Sequence, residues 1–329
     1  MASLPDDMAV VEMSEPGAAE VLVPGRRKLP TCGAGEVLIR VTAAGVNGPD
    51  LVQRRGHYPP PKGASDLLGL EVSGEVVACG DGVNDWQPGD RVCALTNGGG
   101  YAEYVAVDAS HCLPVPQGVD EVGAAGLPET FFTVWSNVFL DHALPEDGNF
   151  LVHGGAGGIG STALQLGRAM GLNVLTTVGS DDAAEFATSL GAARTIDFRT
   201  EDFVAITREA GGADIILDII GGDYVARNIK AARHDARIIQ LAFNKGSKVE
   251  IDLMPMMLKR ISYTGSTLRS RSEAFKTRVA EALRSEVWPL FAKNALRPVT
   301  YKVLPLAEAA EAHRLMEGGN HHGKILLRP

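Results

Sequence analysis

The sequence has few cysteines and none of the spacings that bind metals or build disulfide frameworks. Only Cys32, Cys79, Cys93 and Cys112 occur among 329 residues, without a Cys-x-x-Cys pair. A secreted disulfide scaffold or a zinc ribbon needs closely spaced cysteines, so both classes are excluded. The eight histidines show no ligand spacing either, and His321-His322 is typical of a solvated turn. We therefore expect reduced thiols in an intracellular protein that has no metal site.

Long apolar runs and an excess of positive charge are missing as well. No apolar stretch approaches the ~20 residues that span a bilayer, and the N-terminus lacks the basic start and apolar core of a signal peptide. Lysine and arginine total 31 against 40 acidic residues, a formal net charge of −9. Nucleic acid would be repelled on average, and the densest basic cluster, Arg269-Ser-Arg271, is too small to bind it. We expect a cytoplasmic protein that acts on a small molecule, with no membrane or nucleic-acid partner.

Short β-type runs separated by turns fill roughly the first 125 residues. Examples are Glu36–Thr42, Gly69–Val77 and Ala102–Val107, and Gln87-Pro-Gly-Asp90 has the composition of a turn between strands. This pattern predicts a compact, mostly antiparallel β domain. The last thirty residues return to strand-like sequence in Tyr301–Leu304 and Lys324–Leu327, so we expect the C-terminus to rejoin this first domain.

Apolar strands alternate with helical stretches from about residue 130 onward. The predicted strands are Phe150–His153, Asn173–Val178, Thr195–Asp197, Asp214–Ile220 and Arg237–Ala242. The predicted helices are Ser161–Met170, a stretch ending at Leu190, and Phe275–Asn294. Apolar strands separated by helices indicate an α/β fold whose parallel sheet is covered on both faces. The sequence therefore predicts two domains, residues 1–128 with 299–329 and residues 129–298.

A glycine-rich loop between a predicted strand and a predicted helix is the strongest local signal. His153–Gly160 contains Gly155-x-Gly157-x-x-Gly160, the pattern of a dinucleotide-binding turn. Glycines allow a sharp turn and close approach of the backbone to a pyrophosphate, and the following helix N-terminus offers free N–H groups to it. The alternative is a merely tight turn, but the context favours cofactor binding.

The end of the next predicted strand bears on the choice between NAD and NADP. NAD-binding proteins usually place a carboxylate there to hold the ribose hydroxyls. Here Val178 is followed by Gly179-Ser180, which leaves room for a 2′-phosphate. Asp181 and Asp182 would repel that phosphate if they pointed inward; the alternative we favour is the solvated first turn of the next helix, where acids suit the helix dipole.

Several motifs in order along the chain resemble a known superfamily. They are Ala44–Asp50, Arg55–Pro61, Gly69–Glu71, Leu127–Thr130 and His153–Gln165. Together they are similar to the medium-chain dehydrogenase/reductase superfamily and, more narrowly, to its zinc-free quinone oxidoreductase (zeta-crystallin-like) branch. The resemblance covers essentially the whole chain. It implies a Rossmann doubly wound parallel sheet plus a GroES-like β-barrel substrate domain.

Three positions distinguish this chain from the alternative, the zinc alcohol dehydrogenases of the same superfamily. By resemblance, those enzymes carry a cysteine, a histidine and a cysteine where this chain has Asn47, Leu70 and Glu129. These three residues cannot reproduce a Cys/His/Cys zinc site, so we expect a metal-free protein. Without a Lewis acid, the chemistry should suit quinones or activated alkenes, which accept hydride readily.

Two residues are expected by resemblance to face the nicotinamide and the substrate. An amide at Asn47 or a phenol at Tyr58 can donate a hydrogen bond to a carbonyl that gains negative charge. The alternatives are a turn residue at Asn47 and a cap on the Pro59–Pro61 bend at Tyr58. No single proton donor can be assigned from the sequence, and water is an alternative source of protons.

Further cofactor contacts carry over from the resemblance position by position. The expected set is Asn47, Thr133, Gly155, Gly157, Gly158, Ile159, Gly160, Gly179, Ser180, Phe198, Arg199, Phe243, Ser266, Leu268 and Lys324. The alternative for Lys324 is a surface lysine. Many relatives have a lysine near Ala183 and a tyrosine at Phe198, so Arg199 is the candidate partner of a 2′-phosphate. We expect NADPH as the cofactor, with NADH as the alternative.

These observations favour an NADPH-dependent quinone reductase. The alternatives are an enoyl or alkenal reductase acting on a C=C bond, and a non-enzymatic nucleotide-binding protein. A free edge strand at Ile261–Ser266 predicts a homodimer through the Rossmann domain. The apolar side chains of Leu253, Met254, Met257 and Leu258 could join that interface, although burial within one chain is the simpler alternative.

Overall fold

The computed structural model describes residues 4–329, and these divide into two compact units. The first unit contains the residues up to Phe132 together with Arg269–Pro329, and the second contains Thr133–Leu268. No helix among the described residues has both the length and the apolar content needed to cross a bilayer.

The strands and helices are numbered in chain order. The strands are β1 (Asp7–Met13), β2 (Leu22–Lys28), β3 (Glu36–Val46), β4 (Glu71–Cys79), β5 (Arg91–Leu95), β6 (Tyr104–Asp108), β7 (Cys112–Pro114), β8 (Asn149–His153), β9 (Asn173–Val178), β10 (Arg194–Asp197), β11 (Ala213–Asp218), β12 (Ala232–Gln240), β13 (Ser262–Gly265), β14 (Thr300–Pro305) and β15 (Lys324–Arg328). The helices are α1 (Gly48–Arg54), α2 (Glu121–Ala124), α3 (Pro128–Val134), α4 (Gly158–Ala169), α5 (Asp181–Ser189), α6 (Phe203–Glu209), α7 (Tyr224–Ala231), α8 (Met254–Leu258), α9 (Glu273–Ala282), α10 (Trp288–Ala292) and α11 (Ala309–Gly318).

The second unit contains a six-stranded parallel sheet in the order β10-β9-β8-β11-β12-β13. Counted along the chain from β8, this is the order 3-2-1-4-5-6 of a Rossmann sheet, and it reverses between β8 and β11. The central strand β8 is buried along its whole length, as expected for a strand covered on both faces. The predicted doubly wound parallel sheet is confirmed.

The first unit contains a seven-stranded sheet in the order β14-β15-β3-β4-β5-β7, with β6 also paired to β3. Every pairing in it is antiparallel except that of β14 with β15. Val37, Ile39, Val72, Val76 and other alternating apolar residues of β3 and β4 form its core. The C-terminal strand β15 joins the central strand β3, which confirms that the C-terminus returns to the first domain.

Two regions differ from the prediction, and both differences come from packing within the first unit. Residues 269–298 were expected in the Rossmann domain, but they belong to the first unit, where Phe131 lies 5.9 Å from Trp288 and 5.5 Å from Phe291, ring to ring. The strand-like C-terminal thirty residues also contain helix α11, whose Ala309, Ala312 and His313 are buried. An alanine-rich helix buries little apolar surface, so its sequence signal is weak.

The simpler alternative for the short helix α8, burial of its apolar side chains within the chain, is wrong. Leu253, Met254, Met257 and Leu258 are all more than half exposed. The adjacent strand β13 is the last in the order of its sheet, as predicted for a free edge. Helix α8 therefore exposes apolar side chains, and β13, the next strand in the chain, has one edge without a partner strand among the described residues.

Candidate active site

The second unit brings the predicted cofactor-binding residues to one edge of its sheet. They follow the carboxyl ends of the strands: Gly155, Gly157, Gly158, Ile159 and Gly160 after β8, Gly179 and Ser180 after β9, Phe198 and Arg199 after β10, Phe243 after β12, and Ser266 and Leu268 after β13. The exceptions are Thr133, which lies on α3, and Asn47 and Lys324, which belong to the first unit. In open α/β sheets, ligands bind at this edge, where the strand order reverses.

The glycine loop leaves space that side chains would fill. A Cβ atom at Gly155 would collide with the Thr176 hydroxyl, and one at Gly160 would collide with the carbonyl oxygen of Gly154. Gly157 is the N-cap of α4 and offers no side-chain cap, so the first N–H groups of this twelve-residue helix face outward. Helix α4 begins at Gly158, three residues earlier than predicted. This geometry fits a pyrophosphate, because backbone donors and the positive helix end meet in an open turn.

The residues after β9 and β10 form a surface suited to an adenosine. Phe198 is half exposed, and its ring lies so close to Gly179 that a Cβ there would be 2.9 Å from it. Ser180 caps α5 by accepting a hydrogen bond from the Ala183 amide. Asp181 and Asp182 lie exposed in the first turn of α5, which confirms the solvated alternative.

Arg199, the candidate phosphate partner, already has an anionic neighbour. Its guanidinium makes a bidentate ion pair with Asp197, with N–O distances of 2.6 to 3.2 Å. This pairing lowers the pKa of Asp197 to about 2. Arg199 is exposed, so a phosphate would share it with Asp197 or displace that carboxylate.

A buried polar network behind the glycine loop was missed from the sequence. His153 bonds through its two ring nitrogens to the Thr177 hydroxyl and the Asn228 amide oxygen, at 3.1 and 2.7 Å. Asn228 in turn donates to Asp218, which accepts two backbone N–H groups of the turn after β11. Burial lowers the pKa of His153. This network joins the ends of β8, β9 and β11, and a histidine directly before the glycine loop was its only signal.

In the first unit, Asn47 and Lys324 meet because of strand register. Ile325 of β15 pairs with Val46 of β3, so the residues directly beyond this pair, Lys324 and Asn47, come together at the sheet end. The Lys324 ammonium donates to the Asn47 amide oxygen at 2.5 Å and to the Val46 carbonyl at 3.3 Å. The alternative of a surface lysine is wrong, since Lys324 is 5% exposed.

Glu71 completes this cluster and was given no role from the sequence. Its carboxylate is fully buried and lies 2.6 Å from the Lys324 ammonium. It accepts hydrogen bonds from the Asn47 amide at 2.9 Å and from the Glu129 backbone N–H at 2.8 Å. Gly45 is required beside it, because any Cβ there would collide with the Glu71 side chain. We call Asn47, Glu71 and Lys324 the buried ion-pair cluster.

The Asn47 amide is therefore largely used inside the protein. Its oxygen accepts from Lys324 and its nitrogen donates to Glu71, with a longer contact of 3.5 Å to the Gly45 carbonyl. Asn47 is also the N-cap of α1, in a capping box with Asp50. Asp50 is fully buried, and burial raises its pKa to about 6. These contacts give Asn47 a structural role in the turn that begins α1. A role of Asn47 toward substrate stays a prediction.

Tyr58 lies among buried polar and cationic groups of the first unit. The Arg269 guanidinium lies 5.6 Å from the Tyr58 ring and donates to Gln53 and to the Asn97 carbonyl at 2.6 Å each. Lys276 donates to the Asn97 side chain at 2.6 Å. Burial is the main cause that raises the pKa of the Tyr58 phenol, and the nearby Glu129 adds to it.

The donor set of the buried ion-pair cluster does not match a zinc site. Leu70 is a buried apolar side chain, and the Lys324 ammonium already supplies the cation that the oxygens of Asn47 and Glu71 bind. A second positive charge at the same oxygens would meet electrostatic repulsion. Within residues 4–329, no group of three or more His, Cys, Asp or Glu side chains is placed to hold a metal ion.

Parts of both units match known protein families. Residues 33–117 match the alcohol dehydrogenase GroES-like domain, and residues 158–285 match the family described as zinc-binding dehydrogenase. The quinone oxidoreductase of Homo sapiens is 30% identical over 330 residues and covers 97% of each chain. The expected GroES-like domain is therefore confirmed.

Solved structures are similar over nearly the entire chain. The Escherichia coli quinone oxidoreductase, solved in complex with NADPH, has a TM-score of 0.84 at 26% identity, covering 98% of this chain and 100% of that one. A mycobacterial protein, also solved with NADPH, has a TM-score of 0.88 at 26% identity and the same coverage.

The buried ion-pair cluster predicts an asymmetry between single and paired substitutions. Lys324→Met leaves the buried Glu71 carboxylate without its cation and should lower the free energy of unfolding by about 3–5 kcal/mol. Adding Glu71→Gln should recover part of that loss, because it removes the uncompensated charge and its oxygen can still accept from one of the two donors, the Asn47 amide or the Glu129 backbone N–H. Urea denaturation measures both variants.

Arg314→Met is the matched control, because Arg314 pairs only with exposed Glu20 and Glu311 in the ion pairs of the described residues. Its effect should stay within about 1 kcal/mol. Equal losses in Lys324→Met and Arg314→Met, or additive effects of the two cluster substitutions, would contradict the role given to the cluster.

Proposed function

Because this chain belongs to the quinone oxidoreductase branch of the medium-chain dehydrogenase/reductase superfamily, we propose that it is a cytoplasmic NADPH-dependent quinone reductase that works without zinc. The observation that carries this proposal is the Lys324 ammonium bound between Asn47 and Glu71, where a zinc enzyme of the superfamily would hold its metal. A site without a strong Lewis acid suits an acceptor that takes hydride readily, and a quinone is such an acceptor.

NADPH is the cofactor that the second unit fits best. When bound, it supplies a hydride to the acceptor. The open glycine loop and the free N-terminus of α4 would hold its pyrophosphate, and Phe198 would stack against the adenine. Ser180 and Arg199 would face the 2′-phosphate, and no carboxylate stands in their place directly after β9. The complexes of two similar proteins with NADPH support this assignment.

Thr133, Phe243, Ser266 and Leu268 remain proposed contacts of the nicotinamide half. Phe243 is nearly half exposed at the end of β12, whereas Leu268 is buried. Their positions follow strand ends or, for Thr133, the helix before β8. In the first unit, Tyr58 is the proposed hydrogen-bond donor to the acceptor carbonyl. Asn47 then acts by holding Lys324 and Glu71 in place.

The proposal predicts steady NADPH oxidation with simple benzoquinones and naphthoquinones, and lower rates with alkenals and enoyl thioesters. A metal chelator should leave the rate unchanged, since the chemistry needs no zinc. Tyr58→Phe should lower kcat because it removes a hydrogen-bond donor to the developing oxyanion. Turnover of alkenals alone would favour the C=C reductase alternative, and loss of activity with chelator would refute zinc independence.

The Arg199–Asp197 pair predicts the cofactor preference. Arg199→Ala should weaken NADPH binding about tenfold, since it removes a charged hydrogen bond, and leave NADH binding unchanged. Asp197→Asn should strengthen NADPH binding, because it removes the carboxylate that competes with the 2′-phosphate for the Arg199 guanidinium. Arg208→Ala is the control, because Arg208 is an exposed arginine of the same unit in the last turn of α6. Fluorescence titration with both cofactors measures these affinities; equal losses for NADPH and NADH would remove the role of Arg199.

We also propose a homodimer that forms through the second units. Strand β13 offers a free edge, and α8 exposes Met254, Met257 and Leu258. Light scattering should give twice the 34.7 kDa chain mass. The double substitution Met257→Lys and Leu258→Lys should shift the protein to monomer, because charges would be buried at the interface. A monomeric wild-type protein would refute the dimer.

A further inference from the structure

We propose that Glu129 is the proton donor of the reaction and that it meets the substrate as a neutral carboxylic acid. The inference rests on the proposed function, since it assumes an acceptor that becomes an oxyanion on taking a hydride. By resemblance, Glu129 stands where the zinc enzymes of the superfamily carry a cysteine.

The first support is a buried carboxyl group that the protein leaves without a partner. Glu129 is 9% exposed. Its backbone N–H is bound by Glu71, but no side chain or backbone group among residues 4–329 hydrogen-bonds or ion-pairs with its carboxyl group. Its oxygens are not among the enclosed side-chain atoms of the described residues that lack a partner, so they are open to a partner from outside the chain. A substrate oxygen supplies it.

The second support is the charge around Glu129. The buried carboxylate of Glu71 binds the Glu129 backbone N–H and acts electrostatically on its carboxyl group, and the cation that could offset both acids, Lys324, is already bound to Glu71 and Asn47. Two carboxylates that share one cation in a buried site cannot both ionise readily. The charged and titratable groups that act on Glu129 are Glu71 on β4, Asp50 on α1, Lys324 on β15, Lys276 on α9, Tyr58 after α1 and Arg269 before α9.

Burial and the Glu71 carboxylate raise the pKa of Glu129 by more than Lys324 and Lys276 lower it. Burial is the larger cause and Glu71 the next, and the pKa of Glu129 rises to about 8. The group is therefore protonated at neutral pH, and its pKa lies close to the working pH, as general acid catalysis requires. The pKa of Tyr58 is raised from an already high value, which makes the phenol a hydrogen-bond donor rather than the acid.

The proposed step balances in atoms and electrons. A quinone that has accepted a hydride has gained two electrons and one hydrogen, and one of its oxygens carries a negative charge. The O–H bond of Glu129 breaks, a new O–H bond forms on that oxygen, and the hydroquinone leaves. The Glu129 carboxylate then takes a proton from water, so each turnover consumes one proton from solvent.

Glu129→Gln is the first test, because the amide keeps the size of the side chain and a donor but cannot supply a proton. We expect kcat to fall about 10²–10⁴-fold with little change in KM. The wild-type rate should fall as the pH rises through about 8, where Glu129 loses its proton, and this descending limb should be absent in Glu129→Gln. Glu129→Asp, which keeps an acid, should recover part of the rate and the limb. Glu286→Gln, on an exposed acid of the same unit, is the control and should match wild type.

Infrared difference spectroscopy gives a readout that does not depend on turnover. The wild-type protein at pH 7 should show the C=O stretch of a protonated carboxylic acid that titrates near pH 8 and is absent in Glu129→Gln. The absence of this band, or wild-type rates in Glu129→Gln, overturns the role of Glu129 while quinone reduction by the wild-type protein stands. A wild-type protein that reduces no quinone overturns the proposed function and the donor role with it.

Discussion

The buried ion pair between Lys324 and Glu71 is the interaction on which the first unit depends. Glu71 opens β4, Lys324 opens β15, and Asn47 follows β3, so the pair joins the ends of three adjacent strands. The Glu129 amide donates to the same carboxylate and connects the start of α3 to it. Two charges this deep are stable only with good geometry and with their remaining donors and acceptors satisfied. Here Asn47 and the Val46 carbonyl supply those contacts.

The same pair divides the two nearby acids into different roles. Glu71 binds the Lys324 ammonium and accepts hydrogen bonds from the Asn47 amide and the Glu129 backbone N–H, and that leaves Glu129 with a carboxylate neighbour and no cation of its own. An acid in that position keeps its proton. A charged network that fixes the fold therefore also prepares a neutral acid, and the two properties arise from one arrangement of charges.

The second unit achieves its proposed function by other means, through backbone geometry at strand ends. The glycine loop leaves room for a phosphate, α4 presents its unsatisfied N–H groups, and Gly179 lets the Phe198 ring lie close to the chain. Behind the loop, His153, Asn228 and Asp218 fix the ends of the strands that carry it. These features are mostly local in sequence. That is why the loop, its strands and the order of the elements could be predicted, whereas the pairing of Arg199 with Asp197 depends on side-chain rotamers that a sequence pattern does not encode.

The sequence by itself determined the two-part fold, the parallel sheet, the glycine loop and the return of the C-terminus, because periodicity and glycine spacing act over a few residues. By resemblance, it also predicted Asn47, Tyr58 and Lys324 as site residues. Only the tertiary structure decided that Lys324 is buried against Glu71, that residues 269–298 pack in the first unit and that Glu129 lacks a partner. Those facts join residues up to 277 positions apart, and strand register and burial, which no local pattern encodes, bring them together.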